Sequence, residues 1–143
     1  MAIKQLSIFV ENKKGSLVEI YETLSHADVD IRAMSIADTQ DFGILRLIVS
    51  DTDKAAAALK QANCIVSVTD VIGVAIDDKA GSLAKVVRLL TDNEVNIEYM
   101  YAFITVSKKY AYVVFRVADN EDATRLLKAN GVEMVTEEDI RNL

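Results

Sequence analysis

Two short segments carry the residues best placed for ligand chemistry. Asn12, Lys13, Lys14, Gly15, Ser16 and Leu17 form one; Asp78, Lys79, Ala80, Gly81, Ser82 and Leu83 form the other, 66 positions later. In each, an apolar stretch ends in a carboxylate, passes through an Asn or Asp and a glycine, and enters a segment of helical periodicity. Glycine lets the backbone turn sharply and lets a ligand come close. A helix beginning just beyond it presents N–H groups without intrahelical acceptors and the positive end of its dipole. That end suits a carboxylate. Asn12 and Asp78 can accept a hydrogen bond from an ammonium group. The combination suits a zwitterion. A tight turn serving only the fold would use the same residues, and such motifs occur often by chance.

Other chemistry is thinly supplied. Cysteine and histidine occur once each, at Cys64 and His26, so an intrachain disulfide and the common zinc spacings are excluded. Cys64 precedes an apolar run and reads as a small buried hydrophobe. His26 stands near a helix end, where a cation suits the dipole. No nucleophile–base set and no phosphate-binding glycine signature is present. A carboxylate-only mechanism through Asp77, Asp78 and Glu98 stays open as an alternative. Tyr99, Tyr101, Tyr110 and Tyr112 could line a pocket or simply pack a sheet. The net charge of −6 disfavours nucleic acid, which requires a basic face. No apolar run approaches the ~20 residues that cross a bilayer. The start of the chain lacks the basic and apolar pattern of a secretory leader, so a cytoplasmic location is expected. No cofactor and no metal is expected.

The elements that position these loops come in two copies. Beyond the loops, Val29-Asp30-Ile31 recurs as Val95-Asn96-Ile97 and Met34 as Met100, again 66 positions apart. Val49-Ser50-Asp51 recurs as Val117-Ala118-Asp119 and Leu59-Lys60 as Leu127-Lys128, at an offset of 68. The two extra residues fit a hairpin turn near 107–109. The halves are 1–69 and 70–143, with no Gly-, Pro- or Ser-rich linker between them.

Each half predicts the same order of elements. Residues 3–10 alternate as a strand does. Leu17, Ile20, Tyr21 and Leu24 then fall on one face of a helix. Ser16 and Glu19 have the spacing of a capping box, with Ser16 inside the first turn as the alternative. Residues 31–37 and 43–49 read as a hairpin, and Asp51 or Thr52 can cap a second helix over 54–61. Residues 65–69 close the unit as a fourth strand. The second half repeats this with strands at 72–76, 97–106, 110–117 and 132–135, helices at 83–90 and 122–129, and an acidic tail that can add a helical turn. The fold class is α+β: two tandem ferredoxin-like βαββαβ units with antiparallel sheets. Ile97, Tyr99, Tyr101 and Phe103 alternate with Met100, Ala102 and Ile104, which predicts a strand buried on both faces. Units of this size bury a thin core and are expected to pack against another unit or another chain.

The loop motifs, with Val29-Asp30-Ile31 and Val95-Asn96-Ile97, resemble the ACT domain family over essentially the whole chain, as two tandem copies. The resemblance implies the βαββαβ fold and an amino acid held at the interface between two copies. Family members usually regulate an enzyme or transcription factor. In the serine-sensing members, amides in the first loop and just before the second strand contact the ligand. By position these are Asn12 and Asp78, and Asp30 and Asn96. Each half thus carries one amide and one carboxylate, in swapped places. The family loop often has Pro before its Gly; Lys14 and Ala80 stand there here. The implied ligand-binding residues are Asn12, Lys14, Gly15, Ser16, Leu17, Asp30 and Ile31, with Asp78, Ala80, Gly81, Ser82, Leu83, Asn96 and Ile97. The resemblance implies a non-catalytic amino-acid sensor, expected as a homodimer acting on a separate enzyme. A ligand-free oligomerising adaptor is the alternative.

Overall fold

In the computed structural model, residues 2–38, 40–104 and 110–143 are described. The element order is β1 (Ile3–Glu11), α1 (Ser16–His26), β2 (Ile31–Asp38), β3 (Phe42–Val49), α2 (Thr52–Gln61) and β4 (Ile65–Asp77), followed by α3 (Ser82–Asp92), β5 (Tyr99–Ala102), β6 (Tyr110–Arg116), α4 (Asn120–Ala129), β7 (Glu133–Val135) and α5 (Glu137–Arg141). The chain divides into two compact units, Lys4–Thr69 and Asp70–Leu143, with Ile3 belonging to the latter.

In the first unit β3 pairs antiparallel with β1 and β2, with Leu6 opposite Leu47 and Ile8 opposite Leu45. Period-two alternation turns Leu6, Ile8, Val10, Leu45, Leu47 and Val49 to one side. There they meet Ile20 and Leu24 from α1 and Ala55 and Leu59 from α2. The second unit builds the same core with its own residues. Ile72 pairs with Phe115 and Val74 with Val113, and Val86, Leu90, Ala123 and Leu127 pack over them. Burying each such large side chain contributes roughly 1.5–3 kcal/mol. In this unit β4 lies between β6 and β7, antiparallel to both.

The repeat extends to the ends of the helices. After α1 and α3 the chain enters the left-handed region at Asp28 and Glu94, and after α2 and α4 at Asn63 and Gly131. In each case the next N–H reaches back to the carbonyl five residues earlier: Val29 to Leu24, Val95 to Leu90, Cys64 to Leu59 and Val132 to Leu127. This closure satisfies carbonyls that the helix end would otherwise leave unpaired.

Several expectations change. The strands read at 65–69 and 72–76 are one strand, β4, of 13 residues, because Asp70 and Val71 continue the extended backbone. The strand read over 97–106 is only Tyr99–Ala102, with a single bridge at Phe103. Residues 105–106 of that reading, and the hairpin turn placed near 107–109, lie outside the described residues. Burial on both faces of this strand is not found: Tyr101 is buried, whereas Met100 and Ile104 are exposed. Side chains alternate across the strand, and only the side carrying Tyr101 is covered; the side carrying Met100, Ala102 and Ile104 is left exposed. The capping box at Ser16 and Glu19 is absent. Ser16 is already the first helical residue, and the cap position is Gly15, with no side-chain hydrogen bond. Side-chain caps occur elsewhere: Asp51 accepts from the Lys54 N–H at 3.1 Å, and Asp119 from the Asp122 N–H at 3.0 Å. The acidic tail forms α5, closed by a capping box between Thr136 and Asp139 and held by buried Ile140.

Candidate functional site

The two glycine loops share one backbone trace. Gly15 has φ 94° and ψ −16°, Gly81 φ 89° and ψ −11°. These left-handed conformations favour glycine, and a Cβ at either position would meet no atom within 4 Å. Conformation, not space, selects the residue. In the first loop the Lys13 N–H donates to the Glu11 carbonyl at 2.9 Å and the Ser16 N–H to the Lys13 carbonyl at 3.3 Å. In the second, Lys79 to Asp77 and Ser82 to Lys79 repeat both bonds at the same distances. Glu19 and Lys85 then donate to Gly15 and Gly81. The N–H groups of Leu17 and Val18, and of Leu83 and Ala84, fall between these bonds. Among the described residues they keep no backbone acceptor, as expected in the first turn of a helix.

The side chains around the loops face solvent. Asn12, Lys14, Asp78 and Ala80 are exposed, Ser16 and Ser82 half-buried, and Leu17 and Leu83 each 37% exposed. The Asn12 N–H donates to the Asp41 carbonyl at 2.9 Å, tying the first loop to the β2–β3 turn. Lys13 pairs with Glu11 at 3.1 Å and Lys79 with Asp77 at 3.6 Å, both exposed. Such pairs hold a loop weakly, at ~0–1 kcal/mol.

Asp30 and Asn96 stand apart from these loops. Asp30 follows the end of α1, and Asn12 precedes its start; the helix has 11 residues, about 16 Å long at 1.5 Å per residue. The same separation divides Asp78 from Asn96 across α3. One unit therefore does not bring its amide and carboxylate together. Asp30 is fixed through its backbone, with its N–H donating to Ser50 Oγ and its carbonyl accepting from the Ser50 N–H, both at 2.9 Å. Its carboxylate lies 3.8 Å from Arg32. Ile31 and Ile97 are half-buried beside Asp30 and Asn96.

Each loop opens onto a groove in its own unit. The groove of the first unit, about 320 Å³, runs from Glu11, Lys13 and Ser16 along Glu19 and Thr23 to Asn63 and Cys64. The groove of the second, about 450 Å³, runs from Asp77, Lys79 and Ser82 along Lys85 and Leu89 to Gly131 and Val132. Every residue lining one groove has its counterpart, 66 or 68 positions away, lining the other. Cys64 is half-buried here rather than a core residue. Burial first, and the charge of Glu19 second, push its thiol pKa up, which favours the neutral thiol.

A family model for the ACT domain pair matches residues 1–143. The chain belongs to the ACT domain pair family. The protein BT0572 from Bacteroides thetaiotaomicron is similar in structure, with a TM-score of 0.93 and 42% identity, covering 100% of this chain and 98% of that one. The ligand-free regulatory subunit of aspartate kinase from Thermus thermophilus shares the fold at a TM-score of 0.65 and 14% identity, over 88% of this chain and 90% of that one. The corresponding subunit from Thermus flavus gives 0.60 at 15% identity, again over 88% and 90%. No curated protein matches the chain.

The sequence reading of this ACT domain pair located the loops and missed the opposite wall of each groove. That wall comes from the turns at Asn63 and Gly131, which the α2–β4 and α4–β7 connections fold back beside α1 and α3. A local signal existed: Asn and Gly after a helix mark a left-handed stop. The carboxylates considered for acid–base chemistry are not assembled. Asp77 lines the second groove, whereas Glu98 faces Arg116 at 3.5 Å and is no part of its lining. Among the described residues no group of His, Cys, Asp or Glu is arranged to hold a metal, and no helix is long and apolar enough to cross a membrane.

Proposed function

We propose that this ACT domain pair is a non-catalytic amino-acid sensor that regulates another protein. The observation that carries the proposal is the duplicated loop: the same left-handed glycine and the same hydrogen bonds leave the same N–H groups open in both units. A ligand carboxylate is held there, at the helix N-terminus. Asn12 or Asp78, and Asp30 or Asn96, receive the ammonium. Because α1 and α3 separate these groups within a unit, the complete set is supplied by a homodimer, where a loop of one chain meets Asp30 or Asn96 of another. The regulated enzyme is a separate protein, and the pair works in the cytoplasm.

A thermal-shift screen of the common amino acids tests this reading. A ligand that binds only the folded state adds about 2.7 kcal/mol at a concentration a hundredfold above its Kd. One amino acid, or a few related ones, is expected to raise the melting temperature by several degrees. Asp78→Ala is expected to shrink that rise while leaving the ligand-free melt within about 0.5 kcal/mol, as for exposed positions generally. A flat response across all amino acids would contradict the sensor reading. It would favour the adaptor reading, for which the exposed contact between Phe9 and Phe42, with ring centres 5.0 Å apart, supplies an apolar surface.

A further inference from the structure

The two grooves are built from equivalent positions but do not carry equivalent charges. In both, the first lysine is already matched by a carboxylate: Lys13 by Glu11, and Lys79 by Asp77. What remains differs. The first groove has Glu19 on α1 and Ile65 on β4. The second has Lys85 on α3 and Glu133 on β7 at the same two positions. Among the described residues neither Lys85 nor Glu133 has an ion-pair partner within 4.0 Å. Glu133 is fixed in register opposite Ala75, and Lys85 lies one turn into α3, so the two charges come from separate, rigid elements bordering one groove. The same groove is also lined by the aliphatic Ile76, Val86, Leu89 and Val132, alongside Tyr110 and Asn130. The first groove places Thr23 and Cys64 where the second has Leu89 and Val132.

We propose that the groove of the second unit is itself a binding site for an aliphatic α-amino acid, with Lys85 facing its carboxylate and Glu133 its ammonium. The groove of the first unit does not take this ligand, because Glu19 repels the carboxylate and Ile65 offers nothing to the ammonium. The proposal rests on the sensor reading and adds a site complete within one unit, with one ligand per chain. The volume of about 450 Å³ is within the usual range for small-molecule sites.

The test is calorimetric titration of the full chain with L-leucine, and with two analogues that keep its side chain but carry one charge: 4-methylpentanoate and isopentylamine. L-leucine is expected to bind with one site per chain and the analogues about tenfold more weakly or worse, since each loses one charged contact. Lys85→Glu and Glu133→Ile, which copy the first groove, are each expected to weaken leucine about tenfold or more. The reciprocal pair, Glu19→Lys with Ile65→Glu, is expected to raise the stoichiometry to two. Leucine affinity unchanged in both Lys85→Glu and Glu133→Ile would overturn the proposal, as would equal binding of isopentylamine. If another amino acid stabilises the chain but is indifferent to these changes, this site is wrong and the sensor reading stands. If no amino acid binds at all, the sensor reading itself falls.

Discussion

Phe115→Ala is expected to lower the stability of the chain by about 3–5 kcal/mol. Phe115 is fully buried, paired with Ile72 across β4 and β6, and packed among Val86, Leu90 and Leu127. Truncation removes the transfer energy of the ring and leaves a cavity that two strands and two helices cannot collapse into. A loss of this size is a large part of the ~5–15 kcal/mol by which domains are stable. Urea unfolding measures it as a lower midpoint at an unchanged slope. Leu47 holds the same place in the first unit, fully buried opposite Leu6, and Leu47→Ala is expected to cost about 2–5 kcal/mol. A loss under about 1 kcal/mol for Phe115→Ala would mean that the core of the second unit is not packed as described.

Gly73→Val is the second large effect, and its cause differs from that at Gly15 or Gly81. Gly73 sits in the middle of β4, paired with Val114 on one side and Val135 on the other. A Cβ there would stand 3.0 Å from Val135 Cβ and 3.1 Å from Ile3 Cδ1. Val135 Cβ is held by its own backbone and cannot swing away. Valine adds two further carbons to that clash, and overpacking of this kind costs about 1–3 kcal/mol. Gly15→Ala meets no atom, and its cost is the left-handed backbone alone, roughly 1–2 kcal/mol. Thermal melts should show Gly73→Val below Gly73→Ala. The ligand-induced rise in melting temperature proposed above is expected to persist in folded Gly73→Ala, because Gly73 lines neither groove.

The duplication made much of the fold legible. Leu24 and Leu90, Leu59 and Leu127, and Val49 and Val117 stand at repeating positions and end up in equivalent places in the two cores. Periodicity reported those faces because strand and helix expose one side every two or 3.6 residues. Two features escaped it. The boundary between the halves at 69/70 divides two strands in the sequence reading, yet an exposed Asp70 is tolerated in an extended strand, and β4 runs through. Apolar periodicity carries no mark of Glu94, which adopts φ 60° where the Val95 N–H bond to the Leu90 carbonyl closes the turn.

The candidate site was half legible for a related reason. Gly15 and Gly81 announce themselves, since a left-handed residue before a helix calls for glycine. The grooves are tertiary: Lys85 and Glu133 are 48 positions apart in the sequence and meet one groove only after β7 pairs with β4. The exchange of Glu19 for Lys85 becomes meaningful only once both are known to line the same groove. Asp30 and Asn96 show the opposite case, grouped with the loops by the family resemblance and a helix length away in space.

The claim that joins these observations is that an amino acid docks where the glycine loops lead into their helices. The most direct measurement is an amide ¹H–¹⁵N correlation spectrum of the full chain, titrated with whichever amino acid raises its melting temperature most. The largest shifts are expected at Gly81, Ser82 and Leu83 or at Gly15, Ser16 and Leu17, saturating with ligand. Shifts confined to positions remote from both loops, with these six amides unmoved at saturation, would contradict it.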